Sequence, residues 1–262
     1  MKVTFLGTGT SQGVPLIGCQ CPVCTSVNPK DKRLRTSILI ETLNQKLQLP
    51  NQNNTFVIDT GPDFRQQMLR EKVTKLDAVI FTHEHKDHIA GFDDIRAFNY
   101  ILKKKMEVYA TEKVQQAIHR EFPYIFVEEK YPGVPEINLH TIENKLFQIN
   151  GIEILPIQVY HHKMPVLGFR IGDFTYITDA NFVPEEEKKK IIGSKIIVIN
   201  ALRRDFHISH FSFNDAINLM KELKPEKAYF THISHQLGEH DEVQNELPDF
   251  IELAYDGLKI EL

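Results

Sequence analysis

Leu76-Asp77-Ala78-Val79-Ile80-Phe81, then Thr82, then His83-Glu84-His85-Lys86-Asp87-His88, is the stretch that decides the fold. Its first six residues form a short apolar run suited to a buried strand. Three histidines and an aspartate follow within six positions, and they cannot all converge on one ion from a regular helix or strand. On a loop leaving a strand, His83 and His85 can point one way while Asp87 and His88 serve a neighbouring ion. Imidazole and carboxylate donors together suit Zn²⁺, Fe or Mn²⁺ better than Ca²⁺.

Upstream, strand composition predicts strands over Lys2–Leu6, Thr36–Thr42, Lys46–Leu49 and Thr55–Asp59, with a turn at Asn51–Asn54. Helices are predicted over Pro62–Glu71, Asp93–Lys105 and Thr111–Arg120, the last with Thr111 as its N-cap. Downstream the alternation recurs. Strands are expected at Ile152–Tyr160, Val166–Ile171, Phe174–Thr178, Lys195–Asn200 and Lys227–Thr231, and helices at Pro184–Ile192 and Phe213–Leu223. Strands in both halves with helices between them imply an α/β (α+β) chain of two face-to-face sheets covered by helices. The charge run Glu185–Lys190 predicts a solvated helix face with Glu–Lys pairs.

Composition bounds the function. With 42% hydrophobic and 25% charged residues, the 262-residue chain can bury a large core. Its formal net charge of −4 disfavours a general nucleic-acid binder, though not a local basic patch. The start, MKVTFLGTGTSQG, lacks the apolar core and cleavage site of a signal peptide. The apolar stretch Ile191–Leu202 is too short and too interrupted to span a bilayer. These features predict a cytoplasmic protein with no membrane partner. Cys19, Cys21 and Cys24 are too close together to staple distant segments by disulfides, and in a reducing compartment such a cluster is a metal site or chance.

The HxHxDH pattern after a buried strand resembles the metallo-β-lactamase superfamily, a four-layer αββα sandwich with a dinuclear site at one edge. Further pieces stand in the expected order: Asp59 in IDTGPDF, His161 or His162 after a strand, Asp179 in FTYITDA and His232 in AYFTH. The resemblance implies one domain over residues 1–262, with two divalent metal ions, Zn²⁺ or Mn²⁺, at the active site. Carried over, His83, His85 and His161 would hold one ion, Asp87, His88 and His232 the other, and Asp179 would bridge them. His162 stays open as an alternative to His161; in relatives with H-G-K-x-P-V-x-G the ligand precedes the glycine, whose place His162 takes. Asp59 is better cast as acceptor for a ligating histidine N–H than as a ligand.

The loop at about 18–25 supplies three thiolates, and Thr231-His232-Ile233-Ser234-His235 offers a fourth ligand. A Cys₃His structural zinc from Cys19, Cys21, Cys24 and His235 would tie the N-terminal loop to the site rim. With GTGTSQGVP, DTGPDFR, HEHKDHIAGFDDIR and THISH, this loop looks like the phosphoribosyl cyclic phosphodiesterase family of the carbon–phosphorus lyase pathway. That resemblance implies a dinuclear phosphodiesterase acting on a small cyclic phosphodiester, a 5-phosphoribosyl 1,2-cyclic phosphate. It also allows a homodimer, for which the sequence offers no self-complementary patch. His210, in ISHFSFNDA, matches the position of a histidine beside the scissile phosphate, and His207 could orient it. Arg35, Arg65, Arg203 and Arg204 are candidate phosphate partners. The competing readings are an RNA 3′-processing endonuclease of the tRNase Z type and a non-catalytic metal-stabilised binding domain. The absence of a long Gly- and Lys-rich insertion and the acidic balance count against the first, the full ligand set against the second.

Overall fold

The computed structural model describes residues 1–43 and 53–262. Its strands are β1 (Lys2–Gly7), β2 (Ser37–Leu43), β3 (Asn53–Ile58), β4 (Ala78–Ile80), β5 (Met106–Ala110), β6 (Ile137–Thr141), β7 (Phe147–Ile149), β8 (Ile152–His161), β9 (Met164–Ile171), β10 (Phe174–Tyr176), β11 (Ile196–Asn200), β12 (Lys227–Thr231), β13 (Ile251–Leu253) and β14 (Lys259–Glu261). Its α-helices are α1 (Pro22–Thr25), α2 (Phe64–Arg70), α3 (Lys86–Ile89), α4 (Arg96–Leu102), α5 (Glu112–Glu121), α6 (Glu185–Ile191), α7 (Phe213–Leu223) and α8 (His240–Gln244).

The strands form two seven-stranded sheets, ordered β14-β1-β2-β3-β4-β5-β6 and β13-β12-β11-β10-β9-β8-β7. Each sheet is antiparallel on one side, through β14-β1-β2-β3 and β7-β8-β9-β10, and parallel on the other, through β3-β4-β5-β6 and β10-β11-β12-β13. Strand alternation sorts the side chains into layers. Phe5, Ile38, Ile40, Phe56 and Ile58 meet Phe169, Phe174, Tyr176 and Val198 between the sheets. Leu6, Leu39 and Val57 point the other way, joining Phe64, Phe98 and Ile118 of α2, α4 and α5. On the far sheet Ile197 and Ile199 pack with Ile191 of α6 and Ile217 and Met220 of α7. Both faces of each sheet are therefore covered, which explains why the strands read as apolar runs. The result is the four-layer αββα sandwich.

The predicted strand Lys46–Leu49 lies outside the described residues, as do the first two residues of the predicted turn; Asn53 and Asn54 open β3 instead of turning. The helix predicted over Asp93–Lys105 divides into a 3₁₀ turn at Phe92–Ile95 followed by α4. The expectation of a solvated Glu185–Lys190 face needs correction. Glu187 is buried, accepting from the Gln158 amide at 2.8 Å and pairing with Lys190 at 2.9 Å. A buried carboxylate is tolerated there because three partners satisfy it, the third being the Asn144 side-chain amide at 2.8 Å. No helix among the described residues is long and apolar enough to cross a membrane.

Candidate metal centre

The site lies where strand ends of both sheets meet. From the first sheet come Asp59 after β3 and the His83–His88 loop after β4; from the second come His161 at the end of β8, Asp179 after β10 and His232 after β12. Asp59, Asp179 and His232 all have left-handed backbones, at φ 65°, 58° and 54°. Non-glycine residues pay for such conformations, and several of them clustered at one site mark a functional constraint. The loop after Asp59 locks onto the His83–His88 loop through Thr60 N to His88 O and Gly91 N to Thr60 O, both 2.8 Å. Glycine is required in that crossing. A Cβ on Gly61 would meet the Asp87 carbonyl at 2.2 Å, and one on Gly91 the Gly61 carbonyl at 2.1 Å.

Asp179 is the common member of three groups of potential ligands whose donor atoms lie within 4.8 Å of one another. The first is Asp87, His88, Asp179 and His232, the second His83, His85 and Asp179, the third His161, Asp179 and His210. His88 Nε2 lies 3.2 Å from Asp87 and 3.4 Å from Asp179; His232 Nε2 lies 3.6 Å and 3.2 Å from the same carboxylates. Around a tetrahedral ion with bonds of about 2.0–2.1 Å, ligand atoms stand about 3.3–3.4 Å apart. His161 groups with His210 rather than with His83 and His85, its ring centroid 5.1 Å from that of His85.

Hydrogen bonds fix which nitrogens face inward. Asp59 accepts from Thr82 N, Thr82 Oγ1 and His88 Nδ1 at 2.9, 2.8 and 2.7 Å. With its single hydrogen given to Asp59, the Thr82 hydroxyl must accept from His83 Nδ1, 2.9 Å away. His161 Nδ1 donates to the Ser209 carbonyl at 2.7 Å. The Nε2 atoms of His83 and His88 are left buried without hydrogen-bond partners, as are both ring nitrogens of His232 and Nδ1 of His210. Buried nitrogens with no partner in the protein, beside two carboxylates, are the donor types that divalent ions take, so the donor set fits such ions. Glu84 turns away to Lys113 at 2.6 Å, and His85 is exposed at the mouth.

The carboxylates shape the charge. Burial pushes the His88 imidazole down, but Asp179, Asp87 and Asp59 outweigh it and hold its pKa well above the ordinary value. Burial would raise Asp179, yet His232 and His88 hold it well below. Burial and then His88 drive His83 down, keeping it neutral. His210 is lowered to about 2 by burial and by His232, whose ring it stacks on at 4.7 Å. The capping box of Ser212 and Asp215 starts α7 and fixes the backbone two residues beyond His210.

His161 and His162 part company. His162 is exposed at φ 58° in the tight β8–β9 turn, its amide donating to Asn181 Oδ1 at 2.7 Å. Cys19, Cys21, Cys24 and His235 also converge, with His235 Nδ1 3.5 Å from Cys19 Sγ and 3.3 Å from Cys21 Sγ. The His235 contact lowers the Cys21 thiol to about 6, while burial raises Cys24 to about 11. Among the candidate phosphate partners, Arg35 pairs with Asp63 and Arg204 with Glu246, and Arg65 is exposed on α2. Arg203 has no carboxylate partner among the described residues; it donates to Gln236 Oε1 and to the Phe206 carbonyl. Sequence reasoning missed Thr82 and the Ser209 carbonyl. Thr82 was findable as the hydroxyl beside the motif, whereas a backbone carbonyl leaves no sequence signal.

Three relatives frame this geometry. A solved structure, a new diphosphatase from the PhnP family, is 37% identical with a TM-score of 0.89, covering 100% of this chain and 97% of its own. An octanoyltransferase of Porphyromonas gingivalis is 36% identical over 99% of this chain and 51% of its own. A ribonuclease Z of Nostoc sp. is 25% identical over 66% of this chain and 47% of its own. The chain thus spans about half the length of the curated relatives it matches. Residues 54–233, which run from β3 past His232, match the Beta-lactamase superfamily domain, and the chain belongs to that superfamily.

Proposed function

We propose that the protein is a dinuclear metal-dependent phosphodiesterase acting on a small cyclic phosphodiester such as 5-phosphoribosyl 1,2-cyclic phosphate. The observation that carries the reading is the Asp179 carboxylate, shared by every ligand group around the orphaned histidine nitrogens. His83, His85, His161 and Asp179 would hold one ion, and Asp87, His88, His232 and Asp179 the other. Bound divalent ions would supply Lewis acidity and a lowered pKa for water. The remaining work falls to side chains. Asp59 and Thr82 hold the rings of His88 and His83 with their lone pairs inward. Burial and His232 hold His210 neutral in the free protein, and beside an anionic phosphate it would supply a proton to the leaving oxygen or pair with the phosphate. Cys19, Cys21, Cys24 and His235 would hold a structural zinc that fastens the N-terminal loop to the chain just beyond His232.

The relatives named diphosphatase and ribonuclease Z support chemistry at a phosphorus–oxygen bond. The second of these names favours RNA 3′ processing as the rival reading. The acyl transfer in the Porphyromonas relative's name is not carried over, since the match covers half of that protein. The deciding experiment compares hydrolysis by Zn²⁺- or Mn²⁺-loaded protein of a ribosyl 1,2-cyclic phosphate, an organic diphosphate, a precursor tRNA and an acyl thioester. Preference for the cyclic diester, lost in Asp87→Ala, is expected. Preference for any other substrate overturns this substrate assignment, and silence on all four with metals bound overturns the enzymatic one.

A further inference from the structure

The imidazoles of the candidate centre are aimed in different ways. His83, His88 and His161 each have Nδ1 tied down, by Thr82, Asp59 and the Ser209 carbonyl at 2.9, 2.7 and 2.7 Å. The buried His232 has no such tie: among the described residues neither of its ring nitrogens meets a hydrogen-bond partner. Its ring stacks on that of His210 with centroids 4.7 Å apart, and its Nε2 stands 3.2 Å from Asp179. The direction of that ring therefore rests on the backbone, which is left-handed at φ 54°. A histidine relaxes out of that region unless its surroundings forbid it.

What forbids it is the segment just beyond, 233–235, which the N-terminal stretch grips at two points. At the first, Ile233 N donates to Thr8 O at 2.8 Å and Thr10 N to Ile233 O at 3.1 Å. At the second, His235 Nδ1 lies 3.5 Å from Cys19 Sγ and 3.3 Å from Cys21 Sγ. Cys24 Sγ, which accepts from Leu16 N at 3.3 Å, completes that cluster. From the other side, Ser234 N donates to Leu202 O at 2.9 Å. The two grips differ in kind. The backbone bonds at Ile233 are permanent, whereas sulfur is a weak hydrogen-bond partner. An ion shared by three thiolates and an imidazole is a far stronger link.

We propose that His235 is a positioning residue for His232, so that closure of the Cys19, Cys21, Cys24 and His235 cluster on an ion tightens the hold of Asp87, His88 and His232 on theirs. This rests on the reading of three ions given above and adds a coupling between the cluster and the centre. The ion assigned to His83, His85 and His161, whose segments leave β4 and β8, lies outside the grip. Coupling is reciprocal, so filling the centre must tighten the cluster by the same factor.

Thiolates select Zn²⁺ over Mn²⁺, while imidazole and carboxylate accept both, so the sites can be filled separately. The test is a calorimetric Mn²⁺ titration of protein given one Zn²⁺ per chain, with the loss of reactive thiols confirming that the zinc sits in the cluster. In His235→Ala one of two Mn²⁺ ions should bind about tenfold more weakly, an ordinary size for coupled sites, with the other unchanged. His235→Cys, which closes a four-thiolate cluster, should restore it. Unchanged affinity for both ions in His235→Ala, an equal loss at both, or no rescue by His235→Cys would overturn the proposal. A second measurement needs no variant: a zinc-selective chelating dye competes for the cluster zinc of the unmodified protein, with and without Mn²⁺ in the centre. Tighter zinc with the centre filled is expected, and the same affinity in both states overturns the coupling. The two readings fail separately. No Mn²⁺ bound to unmodified protein sinks the dinuclear centre itself, whereas two ions bound alike with and without His235 sink only its positioning role.

Discussion

Replacing Asp59 by asparagine swaps one carboxylate oxygen for an amide, and the structure says what each orientation costs. Asparagine keeps the side chain's shape and tolerates the left-handed backbone at φ 65°, so the turn itself survives. If the amide nitrogen takes the place of Oδ2, it faces His88 Nδ1, now 2.7 Å from an acceptor. The imidazole must then accept at Nδ1 and carry its proton on Nε2, the atom that lies between Asp87 and Asp179. A ligand in the wrong tautomer weakens metal binding about 10–100-fold, or about 1.4–2.8 kcal/mol. If the nitrogen instead takes the place of Oδ1, it faces the Thr82 amide, now donating to Oδ1 at 2.9 Å. Two buried donors face to face cost about 1–3 kcal/mol of fold stability. Competition with a chelator, with bound metal counted by mass spectrometry, reads the first cost, and urea unfolding of the metal-free protein reads the second. Wild-type metal affinity together with wild-type unfolding would refute the assignment of Asp59 as the group that orients His88.

Other consequences follow from the same geometry. His210→Gln should lower turnover about 10²–10⁴-fold with metal content unchanged, and loss of metal instead would make His210 a ligand. Cys21→Ser should reduce bound zinc by one ion per chain and lower Tm, read by metal analysis and thermal melting, because it removes one of four converging donors. Acid stability should track His240, lowered to about 4 by burial and then by Arg33 and Lys30. Its stabilising effect is complete above pH 6.5 and is lost as pH falls towards 4, where the unfolded chain takes a proton that the folded ring refuses. The cost over that window is about 3 kcal/mol. Urea unfolding at pH 7 and pH 4.5 should show a smaller acid loss for His240→Gln than for the unmodified chain, and equal losses would remove His240 from the account.

The αββα frame was legible because its strands are buried on both faces and read as apolar runs, as in Phe174–Tyr176 and Lys227–Thr231. The strands that escaped notice are β5, β6, β7, β13 and β14; all but β5 lie at sheet edges, and β5 is five residues long with only its alternate positions buried. β14 reaches the first sheet only by pairing Ile260 with Val3, a partner nearly the whole chain away, for which no local pattern exists. In the site, His83–His88 announced itself by spacing. The separate fates of His161 and His162 were not legible from His-His-Lys-Met, because the turn that sends His162 outward lacks the glycine or asparagine that usually marks such a position. Glu187 misled for the opposite reason: six charged residues in a row suggest solvent, yet the backbone of β8 presents an amide at Gln158 that only an acceptor can satisfy.

The site's construction explains why its parts are so scattered in sequence. A parallel strand delivers its last residue to a sheet edge, and the chain then leaves for a helix on the outer face. A side chain at that point ordinarily follows the chain away from the crevice. The left-handed turns at Asp59, Asp179 and His232 redirect the backbone at the moment of exit. Each costs about 1–3 kcal/mol and persists only because the surrounding strands over-determine it. Both sheets contribute, and Tyr176, Phe56 and their neighbours clamp the sheets together beneath the site. The carboxylates and imidazoles are therefore held close before any cation arrives. Their orphaned nitrogens and mutual spacing are a property of the fold, set by strain at three strand ends and by the hydrogen bonds that the histidine rings donate to Asp59, Thr82 and Ser209.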